Sequence, residues 1–280
     1  MKKKTLYLEC YSGISGDMVV GALLDLGADE TVLRQALDSL KLPGYEIEIK
    51  RVRKNGIDAC SFDVIIPECP NYDEGHGMNP SHNAFECNHH HSHGENPHTH
   101  KEHHHEHRNL QDVYQILDRL EDQNVQALAR KIFYIIAEAE AKAHNMPLEN
   151  VHFHEVGAID SIVDIVSAAA CIQNLGITDT VISELYEGKG HVYCRHGKMP
   201  VPAPATLNIV ESQGLSLHIC ENMGEMVTPT GAAIAAALKT DESLPYCYKV
   251  LKTGAGAGKK VFPTANILRA MLIEEDNRKG

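Results

Sequence analysis

The chain has 280 residues, with 38 acidic and 26 basic side chains, a formal net charge of −12 and 43% apolar residues. This composition is ordinary for a globular protein, and the length suits one large domain or two small ones. The excess of negative charge argues against nucleic acid and against an anionic membrane surface as partners, because both attract basic proteins.

The N-terminus carries three lysines and then only a short apolar stretch, so it is typical of neither a signal peptide nor a membrane span. No other segment approaches the roughly 18 consecutive apolar residues that a spanning helix needs. The eight cysteines are scattered without a CxxC pair, which favours reduced thiols. We therefore expect a cytoplasmic protein that does not contact membranes.

Residues 1–66 are predicted to form a small α+β unit. TLYLEC reads as a strand, and GDMVVGALLDLG and DETVLRQALDSL read as helices, the first of them stopped by Gly27. YEIEIKRVRK and DACSFDVII then follow as two strands, the second ending at Pro67.

Residues 67–108 hold twelve of the eighteen histidines and only six apolar residues. Such a segment cannot bury enough apolar surface to offset the entropy of ordering the chain. We predict a disordered insertion that divides the chain into two parts.

Residues 109–280 are predicted to form the main unit. Its predicted helices are NLQDVYQILDRL, NVQALARKIFYIIAEAEAKAHN, an apolar helix that follows a short strand or turn at VHFH and ends near Gly176, and a helix opened by TPTGAAIAAALK. Short strands are predicted in TVISELYEG, GHVYC, LSLHICE and YCYKVLKTG. Because strands and helices follow no strict βαβ order, we expect an α+β fold, with mixed α/β as the alternative.

The histidine-rich segment is the clearest chemical signal. Neutral imidazole is a favoured ligand of nickel, zinc, copper and cobalt, and a flexible chain can wrap an ion without a preformed site. A solvated low-complexity linker or a purification tag is the alternative. The predicted metal ligands are His89, His90, His91, His93, His98, His100, His103, His104, His105 and His107.

A second cluster of potential ligands follows residue 151. His152 and His154 share a face if that segment is extended, and Asp160 and Asp164 share a face of the next helix. Two like charges on an apolar helix face are unfavourable unless a cation or hydrogen bonds compensate. These residues and Glu155 could surround a divalent ion, whereas the alternative assigns the carboxylates to the helix dipole and to ion pairs.

Ser12, Gly13, Ser15 and Gly16 lie between the first strand and the first helix, where free backbone amides can receive a phosphate or carboxylate. Asp17 could cap the helix, bind a metal ion or repel an anion. A structural turn is an equally good interpretation.

Thr228 and Thr230 mark another exposed helix start, for which plain capping competes with phosphate binding. The run from Gly254 through Gly256 to Lys259 resembles a P-loop but has one residue too few and lacks the Ser or Thr that holds magnesium. We therefore interpret this run as a glycine-rich hairpin that lies beside a ligand.

The one basic patch comprises His191, Arg195, His196 and Lys198, and its charge suits a nucleotide or a phosphorylated substrate. A surface hairpin with incidental charge is the alternative.

Six motifs occur in an order that resembles the nickel-insertion (LarC) family across nearly the whole chain. They are YSGISGDMVVGALLDLG, the histidine-rich insertion, HFHEVGAIDSIVDIVSAAA, HGKMPVPAPAT, GEMVTPTGAA and TGAGAGKKVFPTANILR.

The resemblance implies insertion of Ni²⁺ into pyridinium-3,5-bisthiocarboxylic acid mononucleotide, with one Ni–C and two Ni–S bonds formed. It also implies CTP as co-substrate, an assisting Mn²⁺ or Mg²⁺ ion, and the lactate racemase apoprotein as recipient of the product. In that light His154, Glu155 or Asp160 is the expected base, and Asp17, His152, His154, Asp160 and Asp164 are the expected ligands of the divalent ion. The basic and glycine-rich segments would face the nucleotide.

Members of this family normally continue past the segment that matches ANILRAMLIEED. We therefore expect an N-terminal component that needs a C-terminal partner polypeptide, and we expect a homo-oligomer. Two rivals remain: a nickel or zinc storage or delivery protein without catalysis, and a metal-dependent phosphohydrolase that uses His152, His154, Asp160 and Asp164.

Overall fold

The computed structural model describes residues 4–66, 108–153, 159–194 and 197–276, and its α+β architecture confirms the predicted fold class. The helices are α1 (Gly16–Leu26), α2 (Glu30–Ser39), α3 (Leu110–Leu117), α4 (Gln123–His144), α5 (Ile159–Asn174), α6 (Pro204–Ser212) and α7 (Pro229–Leu238). The strands are β1 (Lys4–Glu9), β2 (Glu46–Lys54), β3 (Ile57–Ile65), β4 (Arg108–Asn109), β5 (His152–Phe153), β6 (Thr180–Ile182), β7 (Leu185–Lys189), β8 (His191–Cys194), β9 (Gly197–Pro200), β10 (Leu217–Met223), β11 (Tyr248–Ala257) and β12 (Ile267–Glu275).

A six-stranded mixed sheet has the strand order β2-β3-β11-β12-β1-β6. The β2–β3, β11–β12 and β1–β12 pairs are antiparallel, whereas β1 pairs with β6, and β11 with β3, in parallel. Strands from both sides of the histidine-rich segment therefore share one sheet. The pairs β7–β10, β4–β5 and β8–β9 lie outside it.

Helix α1 packs directly on the sheet because β11 presents glycine where other strands present side chains. A Cβ atom built at Gly256 would lie 1.9 Å from the Met18 carbonyl oxygen, and one at Gly254 would lie 2.3 Å from that of Ala22. No side chain fits in that space. The glycine run is thus the end of a strand beneath a helix, and the expected hairpin begins only beyond it.

Helix α5 lies at the centre of the helical layer and packs against α1, α2, α4 and α7. Ten of its residues are buried, so this helix is apolar almost all round. Its only acidic residues, Asp160 and Asp164, therefore stand out against an apolar setting.

The structure confirms the predicted helices α1 to α5 and α7 within a few residues at each end, and Gly27 ends α1 in the left-handed conformation as expected. The proline-spaced stretch was given no helix, yet it contains α6, with Pro204 at a helix start where proline is tolerated. Strand β12 was not anticipated either. The histidine-rich segment lies outside the described residues.

Within the described ranges, no helix combines the length and the apolar character that crossing a membrane would require.

Candidate functional site

Two loops that the sequence analysis singled out lie side by side. The Ile14 N–H donates to the Met226 carbonyl oxygen at 3.0 Å, and the Thr228 N–H donates to the Ile14 carbonyl oxygen at 3.1 Å. The loop before α1 and the segment before α7 are therefore joined as a short parallel bridge.

Glycines make this close approach possible. A Cβ atom at Gly13 would lie 2.2 Å from the Met226 carbonyl oxygen, and one at Gly231 would lie 2.2 Å from that of Ile14. Gly13 also has φ +88°, a conformation that favours glycine. Gly13 thus allows the backbones of the two loops to come into contact.

A cavity of about 230 Å³ opens where these loops meet the segment that follows β11. Four predicted site residues line it, namely Ser15, Asp17, Thr228 and Lys259. The lining residues are Ser15, Asp17, Met18, Glu225, Met226, Thr228, Gly258, Lys259, Lys260, Phe262 and Asn266. Three motifs far apart in sequence therefore line one cavity.

Asp17 is positioned in the first turn of α1. Its Oδ1 accepts hydrogen bonds from the Ser15 hydroxyl and, at 2.9 Å, from the Met18 N–H. Burial raises the pKa of the Asp17 carboxyl, although these hydrogen bonds and the nearby Lys259 ammonium oppose the rise.

Asp164 faces the start of α1 from α5. A Cβ atom at Gly16 would lie 2.6 Å from Asp164 Oδ2, so glycine there leaves room for this carboxyl group. Burial, followed by the negative charges of Asp17 and Asp160, raises the pKa of Asp164 well above its ordinary value. Its Oδ1 is buried and has no hydrogen-bond partner among the residues that the structure describes.

Both lysines of the cavity wall are paired with carboxylates. Lys259 Nζ lies 2.5 Å from Asp63 Oδ1 of β3, and Lys260 Nζ lies 3.1 Å from Glu225 Oε2. Burial alone would lower the pKa of Lys259, but the hydrogen bond to Asp63 and the charges of nearby carboxylates raise it. Each half-exposed lysine therefore has a carboxylate partner at the edge of the cavity.

Glu187 of β7 supports the segment before α7 from behind. Its side chain is fully buried, and its Oε1 accepts from the backbone N–H groups of Met226 at 2.6 Å, Gly188 at 2.7 Å and Val227 at 3.2 Å. Burial raises the pKa of Glu187 to about 7, against the effect of these three hydrogen bonds. Its Oε2 is buried without a partner in the described part of the chain.

Of the two threonines at the start of α7, Thr228 both caps the helix and lines the cavity. Thr228 Oγ1 accepts from the Gly231 N–H at 3.0 Å, so this hydroxyl caps the helix, and the residue also lines the cavity. Thr230 is buried. Of the remaining residues in the first loop, Gly16 is buried and Ser12 is half-buried.

Several predicted site residues lie elsewhere or outside the described ranges. His152 is exposed on β5, and Asp160 is exposed in the first turn of α5. His191 and Lys198 lie in the β8–β9 hairpin and do not line the cavity. His154, Glu155, Arg195, His196 and the ten histidines from His89 to His107 are not among the described residues.

A complete metal site is not formed by the described side chains alone. Across residues 4–66, 108–153, 159–194 and 197–276, no group of three or more His, Cys, Asp or Glu residues is placed to hold an ion. The metal assignment of His152, Asp160 and Asp164 therefore stays a prediction.

The sequence reasoning missed Asp63, Phe262 and Glu187. Asp63 looks like an ordinary alternating residue of a strand, and only the pairing of β3 with β11 brings it near Lys259. Glu187 carries a faint signal, since a carboxylate within a short, largely apolar strand needs partners when buried.

The fold and the cavity define an α+β protein with a small cavity between two helix starts and the segment after a glycine-rich strand. Residues 6–280 match the protein family described as nickel insertion protein. No solved structure matched the chain.

Three curated relatives agree with that match. The chain is 56% identical to a pyridinium-3,5-bisthiocarboxylic acid mononucleotide nickel insertion protein of Alkaliphilus metalliredigens, over 98% of this chain and 61% of the relative. It is 40% identical to a protein of the same name from Acetivibrio thermocellus, over 96% of this chain and 60% of the relative. A putative nickel insertion protein of a Geobacter species is 40% identical, over 99% and 63%.

The chain belongs to the nickel insertion protein family. It spans about three fifths of the length of these relatives.

Proposed function

We propose that this chain takes part in inserting nickel into pyridinium-3,5-bisthiocarboxylic acid mononucleotide. This compound appears in the names of two of its relatives. The observation that supports the proposal is the cavity where the three glycine-containing motifs converge, with carboxylates and ammonium groups among its lining residues. Nickel is a substrate of this reaction.

The chemistry requires a ring C–H bond to break while a Ni–C bond forms, and the two thiocarboxylate sulfurs then complete the coordination of Ni²⁺. One proton leaves the ring, so a base must stand beside it. His154, Glu155 and Asp160 remain our candidates for this base.

The assisting divalent ion, Mg²⁺ or Mn²⁺, would be held by Asp17 and Asp164. Hard cations prefer carboxylate oxygens, and Mg²⁺ in particular is commonly bound through one or two carboxylates, with water among its remaining ligands. The buried Asp164 Oδ1, which has no hydrogen-bond partner among the described residues, fits this role, because a cation would satisfy it. The ion would neutralise negative charge that otherwise accumulates between these two residues.

The finer features of the proposal are CTP as co-substrate, delivery of the product to the lactate racemase apoprotein, a cytoplasmic location and assembly as a homo-oligomer. We class the activity as that of a lyase that forms a carbon–nickel bond. Because the relatives are longer, we propose that a C-terminal component, supplied as a separate polypeptide or as further sequence, completes the enzyme. The β8–β9 hairpin, with His191, Arg195, His196 and Lys198, is proposed to meet the nucleotide phosphate.

The test is reconstitution. Purified chain is incubated with the pyridinium substrate, Ni²⁺, CTP and Mg²⁺, with and without the C-terminal component of a relative, and the product is assayed by activation of lactate racemase apoprotein. We expect activation with the component present. No activation under either condition would refute the proposal, and an inactive Asp17→Asn variant would tie the activity to this cavity.

A further inference from the structure

We propose that the cavity receives the pyridinium ring of the substrate and leaves the ribose phosphate outside. This inference rests on the proposed function and assigns one part of the substrate to one set of side chains. Four features of the cavity support it: its size, its apolar wall, the pairing of its charges and the hydrogen bonds that hold its wall in place.

The size suits a substituted ring better than a whole mononucleotide. The cavity measures about 230 Å³, which is less than the roughly 300–1,000 Å³ of pockets that enclose a complete drug-sized ligand. A six-membered ring with two small substituents needs only part of such a volume. The sugar and phosphate would project toward the surface.

Apolar side chains supply part of the wall. Phe262, Met18 and Met226 line the cavity and are 8%, 2% and 5% exposed, so each is fixed in the protein and turns only a small surface inward. Aromatic rings and thioethers make favourable contacts with a flat aromatic ligand, and an aromatic ring also attracts a cation. A phosphate group would gain nothing from these three residues.

The charges of the wall are balanced in pairs. Lys260 is bonded to Glu225, and Lys259 to Asp63, while Asp17 adds a further carboxylate. Because each ammonium group already has a carboxylate partner, a phosphate dianion would also meet the negative charges of Asp17, Asp63 and Glu225. A pyridinium ring flanked by anionic substituents is itself charged in both signs, and it can match both kinds of group.

The wall is also held in place by hydrogen bonds. The Asn222 side-chain amide donates to the Met226 thioether sulfur at 3.3 Å and to Thr264 Oγ1 at 2.9 Å. The Asn266 side-chain amide donates to the Lys260 carbonyl oxygen at 2.9 Å. A preorganised wall of this kind binds a rigid ring without a large ordering cost.

The experiment compares three commercially available probes by calorimetry on the full chain without nickel. Nicotinic acid mononucleotide carries a pyridinium ring with one carboxylate, uridine monophosphate carries a neutral ring, and ribose 5-phosphate carries none. We expect the first to bind at least tenfold more tightly than the other two.

Substitution at Phe262 then locates the ring. Phe262→Leu should weaken binding of nicotinic acid mononucleotide about tenfold, whereas Phe262→Tyr, which keeps the aromatic ring, should restore it. Tyr246→Leu serves as the matched control, because Tyr246 is fully exposed and lies outside the cavity. Circular dichroism of each variant shows whether it is folded, and the Tyr variant keeps the test valid if the Leu variant is not.

Equal affinity for the three probes, no binding of nicotinic acid mononucleotide, or unchanged binding by Phe262→Leu would overturn the inference. Reconstituted nickel insertion separates this result from failure of the proposed function. If Phe262→Leu inserts nickel with an unchanged KM for the substrate, the ring lies elsewhere and the function stands. If the unaltered chain with its C-terminal component inserts no nickel, the function itself fails.

Discussion

Carboxyl groups in apolar surroundings distinguish this protein at the scale of single residues. Asp164 and Glu187 each leave one buried oxygen without a partner among the described residues, and the pKa of each is raised chiefly by burial. Such groups cost folding free energy when ionised. Asp164 lies at the proposed ion site, whereas Glu187 holds the backbone of the cavity wall, so substituting them should have different consequences.

Asp164→Asn should stabilise the metal-free protein and abolish nickel insertion. The neutral amide removes a buried charge that is repelled by Asp17 and Asp160, which we expect to raise the free energy of unfolding by on the order of 1 kcal/mol at pH 8. Because the raised pKa keeps Asp164 protonated at low pH, the gain should shrink at pH 5. Urea denaturation in EDTA at both pH values measures it.

The control for this substitution is Asp38→Asn, an exposed position on α2. It should alter neither stability nor activity. If Asp164→Asn retained full activity, the proposed ion site would be wrong.

Glu187→Gln should change how stability depends on pH. The pKa of Glu187 is about 7 in the folded protein against an ordinary value of 4.5, so the folded state binds the extra proton between these values. Protonated Glu187 therefore contributes up to about 3 kcal/mol to the free energy of unfolding. This contribution is fully present below about pH 4.5 and is lost as the pH rises through 7.

The variant lacks this titration. The difference in unfolding free energy between variant and unaltered chain should thus move in favour of the variant from pH 4.5 to 7.5, and histidine titration cancels in that difference. A difference that stays constant with pH would show that Glu187 ionises normally.

At the scale of elements, the contact between α1 and β11 decides where the cavity lies. Both elements were predicted from the sequence, but the glycine run was assigned to a hairpin. The structure shows that its glycines bring the helix backbone against the strand, and this contact carries Asp17 and Met18 to the cavity wall.

Gly256→Ala should therefore damage both stability and activity. The added methyl group would overlap the Met18 carbonyl oxygen, and we expect a loss of about 2–3 kcal/mol together with a loss of substrate binding, because α1 must move away from the strand. Chemical denaturation and a KM measurement test this.

Gly44→Ala provides the comparison. A Cβ atom there meets nothing within 4 Å, and its φ of +86° imposes only conformational strain, about 1 kcal/mol. Its KM should not change. Equal effects of the two substitutions would show that the close approach at β11 is unimportant.

At the scale of the whole molecule, the six-stranded sheet joins sequence from both sides of residues 67–108. Strand β3 ends at Ile65 and β4 begins at Arg108, so the histidine-rich segment connects two parts of one hydrophobic core. Its predicted task is to gather nickel, and we predict that this task is separable from the cavity formed by the described residues.

Replacing residues 76–107 by a short Gly-Ser linker should preserve the unfolding midpoint and lower the number of nickel ions bound per chain. Insertion should persist at saturating nickel and fall when nickel is limiting, because only collection of the ion is impaired. Equilibrium dialysis and the reconstituted assay measure the two effects. Complete loss of insertion at saturating nickel would favour the storage or delivery function over catalysis.

The sequence alone predicts most of the helices and strands, because apolar periodicity and end signals such as Gly27 are local properties of the chain. It also predicts the nickel-insertion family, since six ordered motifs are readable without a structure. Strand β12 and helix α6 were not predicted, because their stability depends on contacts with neighbouring elements. Strand β12, for example, pairs with β1 on one side and with β11 on the other.

Only the tertiary structure decides which motifs meet. It brings the Ser15–Asp17 loop, the start of α7 and Lys259 to one cavity, and it leaves His191 and Lys198 on a hairpin outside that cavity's lining. It also supplies Asp63, Glu187 and Phe262, whose roles depend on strand pairing and loop contacts. Contacts between residues far apart in the chain leave no local periodicity in the sequence. For that reason the acidic residues could be counted from the sequence, but the basic partner of each could not be predicted.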